Sequence, residues 1–252
     1  MTSERFTMQP IQALLSQHPL FEGADPRVTE EIISEGRTIR CAAGRFILRE
    51  NKPARHVYAL LEGGVRVFHL GPAGEEIVVK LFAAPALFGE ADVLAEVPWA
   101  QSAQTVMPSV ILELPAATFR RLLRKEPSFA EALAVDLAKR LLVTSDQLRH
   151  SLTETAESRL ASFILDYASI FGLPVEGGTA IQPALSHSSI ARSLALSRKT
   201  VQRVLGSWID EGWLSRSGRR YVLRKEAPLV ALTASGRIGI AYRSARSVVA
   251  PE

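Results

Sequence analysis

The chain has 252 residues, 47% hydrophobic and 22% charged, with a formal net charge of +4; that length allows two ordinary domains, each with its own core. The single cysteine, Cys41, excludes an internal disulfide framework and any self-contained cysteine-ligated cluster or zinc site, and it fits a reducing cytoplasm. Residues 1–30 lack the basic-then-apolar pattern of a secretion signal, and no apolar run reaches spanning length, so a cytoplasmic protein without a membrane partner is expected.

Met1 to Gly36 reads as short peripheral helices. Ile11, Leu14 and Leu15 share a face, and Pro19 stops that helix. Asp25 before Pro26 is a cap followed by proline at the first helical position. From Thr38 to Leu114 the period changes. Runs of Val, Ile, Leu and Phe (Arg45–Leu48, His56–Leu61, Val65–Leu70, Glu76–Phe82, Val110–Leu114) are cut by Gly44, Gly63, Gly64, Gly71, Gly74 and Gly89. Closely spaced strands with glycine turns predict an antiparallel roll of jelly-roll type over residues 1–125.

Residues 126–150 turn helical. Phe129, Leu133, Leu137, Leu141, Thr144 and Leu148 form a narrow seam close to a coiled-coil pattern. That pattern predicts a long dimerisation helix, because helix–turn–helix proteins use two copies to place two recognition helices on one duplex. Residues 151–157, SLTETAE, lack an apolar period and are the expected hinge. A further helix over Ser158–Phe171 turns Leu160, Phe163, Ile164 and Tyr167 inward, and the Gly-rich stretch Glu176–Thr179 reads as a link.

Ser186 to Tyr221 reads as two short helices, a tight turn and a basic hairpin. Ile190, Ala191 and Leu194 form the buried face of the first helix. Ser197 can cap the second, which buries Val201, Val204, Leu205 and Trp208. Its opposite face carries Arg198, Lys199, Gln202 and Arg203, which can donate to phosphates and to base edges in a major groove. Ser188, Thr200, Arg219 and Arg220 complete the candidate DNA-binding set. From Ser186 to Lys225 there are nine Lys/Arg against two Asp/Glu, a surplus suited to a polyanion. His187 could meet a phosphate, and reads equally well as a surface residue. A winged helix–turn–helix over 158–225 is therefore expected, followed by a tail, 226–252, without an assigned role. The fold class is α+β.

In this order, several patterns resemble the CRP/FNR family of bacterial transcription regulators. They are His18-Pro-Leu-Phe21, Tyr58-Ala-Leu-Leu-Glu-Gly63 with Val65, Phe88-Gly89-Glu90, Gln101-Ser-Ala103, Val143-Thr-Ser145 and Ser197 to Arg203. The resemblance covers roughly Pro19 to Leu223. It implies a homodimer on a palindromic DNA site, with RNA polymerase as a further partner. It also implies a small-molecule effector in the roll, bound through Gly89, Glu90, Gln101, Ser102, Thr144 and Ser145.

Three positions depart from the family pattern. Members that bind cyclic nucleotides carry an arginine where Gln101 stands, and a neutral amide cannot supply a charge-assisted bidentate pair to the cyclic phosphate. The expected effector is therefore a small molecule other than cyclic AMP, with ligand-independent DNA binding and a cyclic-nucleotide response as alternatives. Glu90 reads either as a ribose contact or as a structural carboxylate. A common recognition-helix glutamate is Lys199 here, which prefers guanine acceptors or phosphate over cytosine N4. The turn glycine of the helix–turn–helix is Ala195.

Haem-sensing members use axial His or Cys, and His56, His69 and Cys41 lie on or near the roll strands; isolated histidines are more often surface or satisfied core residues. A haem link through these residues stays a lesser alternative; no cofactor is assigned beyond the small-molecule effector, and no metal site is expected. Nucleophile elbow, P-loop and zinc-spaced His/Glu patterns are absent from the sequence, and Asp92 and Glu96 read as lying on a loop. An enzyme is not expected.

Overall fold

The computed structural model describes residues 8–233 and 241–242, except 17, 22–24, 72, 73, 75 and 183. Contacts divide the chain into two compact units. One comprises residues 1–67, 82–141 and 242–252; the other comprises 68–81 and 142–241.

The chain enters through α1 (Met8–Leu15), which buries Ile11 and Leu15, and α2 (Pro26–Glu35). Asp25 caps α2 as its side chain predicted, accepting from the Arg27 N–H at 2.9 Å, with Pro26 at the first helical position.

The roll begins with β1 (Arg37–Cys41), β2 (Phe46–Leu48), β3 (His56–Glu62), β4 (Gly64–Leu70), β5 (Glu76–Ala83) and β6 (Ala86–Phe88). After α3 (Glu90–Ala95) come β7 (Ser102–Thr105) and β8 (Ser109–Pro115). Antiparallel pairing places the strands of one sheet in the order β1-β8-β3-β6, and in a second sheet β5, β4, β7 and β2 are successive neighbours. Three of these strands, β1, β6 and β7, have no counterpart among the sequence runs. Gly63 turns β3 into β4 with φ of 90°, and a side chain there would collide with the Pro108 carbonyl and Ser109. Asp92 lies in α3 rather than on a loop. The αL residue Glu96 ends that helix, its N–H bonding back to the Asp92 carbonyl.

α4 (Ala116–Lys125) buries Phe119 and Leu122 against the roll end. α5 (Pro127–Thr153) then runs for 27 residues. Its seam is not uniform: Phe129 and Leu133 are 1% and 3% exposed, whereas Leu141 and Leu148 are 70% and 62% exposed, and Leu142 beside the seam is 70% exposed. The helix also continues through Ser151–Thr153. Of the stretch 151–157 expected as a hinge, only Glu154 and Thr155 lie between helices, and Thr155 caps α6 (Ala156–Phe171) by accepting from the Ser158 N–H at 3.1 Å.

In the second unit α6 buries Leu160, Phe163, Ile164 and Tyr167, as its spacing predicted. The Gly-rich link is instead a small hairpin of β9 (Leu173–Val175) and β10 (Gly178–Ala180). α7 (His187–Ser193) and α8 (Arg198–Asp210) follow, then β11 (Leu214–Ser217) and β12 (Arg220–Leu223). The wing is consequently a four-stranded sheet, β11-β12-β10-β9. The winged domain also extends past residue 225: α9 (Ala227–Leu232) packs on α6 and buries Leu229 completely. The rest of the expected tail, apart from the two-residue strand Ala241–Tyr242, lies outside the described residues after 233.

Candidate functional site

The basic surface is built on α8. Burial of Val201, Val204, Leu205 and Trp208 fixes the helix's rotation, and that rotation leaves Arg198, Lys199, Gln202 and Arg203 exposed. Ser197 holds the helix start by accepting from the Thr200 N–H at 2.9 Å, and the two hydroxyls lie 2.7 Å apart. α7 is held by a capping box between Ser186 and Ser189, with Ser188 half-buried beside it. Between the two helices Ala195 has φ of 49°, the left-handed conformation that its place in the turn demands and that a Cβ resists.

Arg219 and Arg220 are exposed at the tip of the β11–β12 hairpin, around Gly218. The sequence did not single out Arg216. It is exposed on β11 and paired across the hairpin with Tyr221, its guanidinium 5.1 Å from the ring centre. The Tyr221 hydroxyl lies 2.7 Å from Nε2 of His187, so His187 is bonded rather than a plain surface residue. Arg203 is 3.7 Å from the Glu157 carboxylate at the start of α6, both side chains being well exposed. Such a pair contributes little stability.

The effector cassette is a feature of the first unit. Gly89 has φ of 82°, and Trp99 packs so closely that a Cβ would stand 3.1 Å from its ring. Glu90 is buried at the start of α3 and accepts a 2.7 Å hydrogen bond from Nη1 of Arg140 on α5. Arg140 also lies 2.6 Å from Asp136, one helical turn earlier. Arg140 and Asp136 were missed in the sequence because, at four-residue spacing, they read as an ordinary exposed helix pair.

Ser102 is buried, and its hydroxyl accepts from the Glu50 N–H at 3.1 Å. Gln101 is partly exposed. Thr144 and Ser145 stand exposed on α5 and belong to the second unit. Near Arg140, His18 is 2% exposed, and its Nδ1 accepts from the Leu20 N–H at 3.1 Å. Burial pushes its pKa down to about 4, with Asp136 opposing and Arg140 adding to the effect. Cys41 is buried, and burial pushes its thiol pKa upward.

Residues 38–126 match the family described as the cyclic nucleotide-binding domain. Residues 158–232 match the Crp-like helix-turn-helix domain. The chain is similar to the global nitrogen regulator of Nostoc sp., at 30% identity over 70% of this chain and 80% of the relative. It is also similar to the cyclic AMP receptor protein of Thermus thermophilus, at 30% identity over 86% of this chain and 97% of that one. Among solved structures, a transcriptional regulator of the CRP family from Thermus thermophilus superposes with a TM-score of 0.68 at 25% identity, over 79% of this chain and 98% of that chain.

Proposed function

The chain belongs to the CRP/FNR family of transcription regulators, and from that premise we propose that it works as a homodimer on a palindromic DNA site under control of a small molecule other than cyclic AMP. The observation that carries the DNA reading is α8: one face is fully buried and the other offers Arg198, Lys199, Gln202 and Arg203 to a groove. Arg219 and Arg220 then lie by the backbone, with Ser188 and Thr200 as polar contacts. RNA polymerase is the further partner.

The effector reading is supported by the cassette's chemistry. Gln101 offers no charge to an anion, and the two carboxylates, Glu90 and Asp136, face one guanidinium, Arg140. Such a site favours a neutral or cationic ligand over a cyclic phosphate. A ligand that prefers one of two conformations shifts the population toward it. The buried Glu90–Arg140 pair also favours a second reading, in which the roll is a scaffold whose buried charges offset one another and DNA binding needs no ligand.

The test has two parts. Selection from random duplexes should yield an inverted repeat bound by the ligand-free or ligand-loaded dimer. Lys199→Ala and Arg203→Ala should each relax base preference at one position per half-site, at about 1–3 kcal/mol. Calorimetry with cyclic AMP then separates the effector readings. Heat of binding from cyclic AMP would sink the first. Operator binding at nanomolar level by bare protein, unchanged by a metabolite screen, would favour the second.

A further inference from the structure

We infer that Glu157, at the start of α6, is a specificity-determining residue for DNA: it holds the Arg203 guanidinium and makes a backbone phosphate a poorer partner for it than a base edge. The inference rests on the DNA-binding reading above and adds a residue outside the recognition helix and the hairpin.

Two rigid elements bring the pair together. α6 is turned by the burial of Leu160, Phe163 and Ile164, and α8 by that of Val201, Val204, Leu205 and Trp208. The two helices pack on one another. Thr155 fixes where α6 begins, accepting from the Ser158 N–H at 3.1 Å. Glu157 therefore falls in the first turn, where the helix dipole favours a carboxylate. Its Oε1 lies 3.7 Å from Nη1 of Arg203, both side chains being well exposed. Among the described residues, Arg203 is the one cation of the exposed α8 face with a carboxylate at ion-pair distance. A pair this open to water adds little to the fold. Its consequence lies in what Arg203 can touch.

An arginine entering a groove has two kinds of acceptor. Base edges, such as O6 and N7 of guanine, carry partial charges and differ from sequence to sequence. Phosphate oxygens carry a full negative charge and are the same on every duplex. A carboxylate beside the guanidinium tells the two apart. Placing a phosphate on Arg203 sets two full negative charges against each other across one cation, whereas a base edge meets no such repulsion. The pair also confines a long side chain that has much rotamer freedom to lose. Glu157 therefore weakens binding to unrelated DNA more than binding to the operator, and a repulsive element of this kind raises specificity.

The experiment is fluorescence anisotropy of the full chain with a selected duplex and an unrelated duplex, over a salt series. It compares wild type, Glu157→Gln, Arg203→Ala and the double variant. Glu157→Gln keeps the size of an exposed side chain and removes its charge. It should tighten the unrelated duplex more than the selected one and lower the ratio of the two affinities about fivefold, within what one bidentate arginine–guanine pair discriminates. Arg203 then takes a phosphate on the unrelated duplex, so the slope of log affinity against log salt should steepen there by about 0.9, the value for one phosphate. In the Arg203→Ala background the same change should shift both duplexes by one common factor, that of a lost negative charge.

A ratio that Glu157→Gln leaves unchanged or raises overturns the inference while leaving the regulator reading standing. So does a fall of the same size with Arg203→Ala in place, because the carboxylate would then act without the arginine. Wild-type protein that binds no duplex at all overturns the regulator reading itself, and this role of Glu157 with it.

Discussion

Ala195 is the residue where the chain most plainly departs from local preference. Its φ of 49° lies where an L side chain is strained, and the helix–turn–helix is held there by bonds on either side, such as the Leu196 N–H to the Ala191 carbonyl at 2.9 Å. Ala195→Gly should relieve the strain and stabilise the second unit by about 1 kcal/mol, net of glycine's greater freedom when unfolded. Urea denaturation should show the higher midpoint, and an unchanged or lower one would mean the strain is absorbed elsewhere. The position was legible in the sequence because the helix–turn–helix frame places a turn there.

His18 is the opposite case: its surroundings could not be read, because its neighbours Asp136 and Arg140 lie more than a hundred residues away in the chain. Its pKa, depressed in the fold to about 4, makes a stability contribution that is fully present above about pH 6.5. That contribution is lost as pH falls from there through about 4, on the order of 3 kcal/mol in all. His18→Asn keeps an acceptor for the Leu20 N–H and removes the titration. Thermal melts of wild type should therefore steepen in pH dependence across that window, and those of the variant should not.

Among the elements, α5 is read best by the division along its length. Its first half buries Phe129 and Leu133 and contributes Arg140 to the cassette, whereas Leu141 and Leu148, seven residues apart, share an exposed stripe, with Val135 and Leu142 forming a second. Exposed leucines at heptad spacing are costly on a monomer and are what a second copy of the helix would cover. Leu141→Glu with Leu142→Glu should turn a dimer into a monomer in sedimentation velocity and reduce affinity for an inverted repeat to that for a half-site. A variant that sediments as wild type would remove the helix from the dimer interface. The apolar spacing foretold the helix, and only the fold told which turns of it were already occupied.

At the scale of the whole molecule, the roll and the winged domain were both legible, because strand alternation, glycine turns and helix caps are local signals. What escaped was set by partners distant in sequence. β1 is short, carries Arg37 and Arg40 among its five residues, and becomes a strand by pairing Arg37–Cys41 with Ser109–Glu113. β7 sits beside β2, half the roll away in sequence, with the register of Phe46 to Gln104. The hairpin β9–β10 read as a Gly-rich link, because Gly177 and Gly178 hide the fact that β10 pairs with β12. α9 looked like the start of a tail because its one buried anchor, Leu229, acquires meaning only against α6.

The pairing of Glu90 with Arg140 also constrains how such a chain can diverge. Losing Arg140 strands the buried Glu90, a step costing about 3–5 kcal/mol, and because Arg140 also holds Asp136, only an exchange that replaces all three by apolar residues of similar volume is close to neutral. Loss of Arg140 alone is thus a valley between two viable sequences. Lineages descending from this one are expected to hold all three residues or none, so that Glu90 and Arg140, fifty residues apart, are inherited as though they were one.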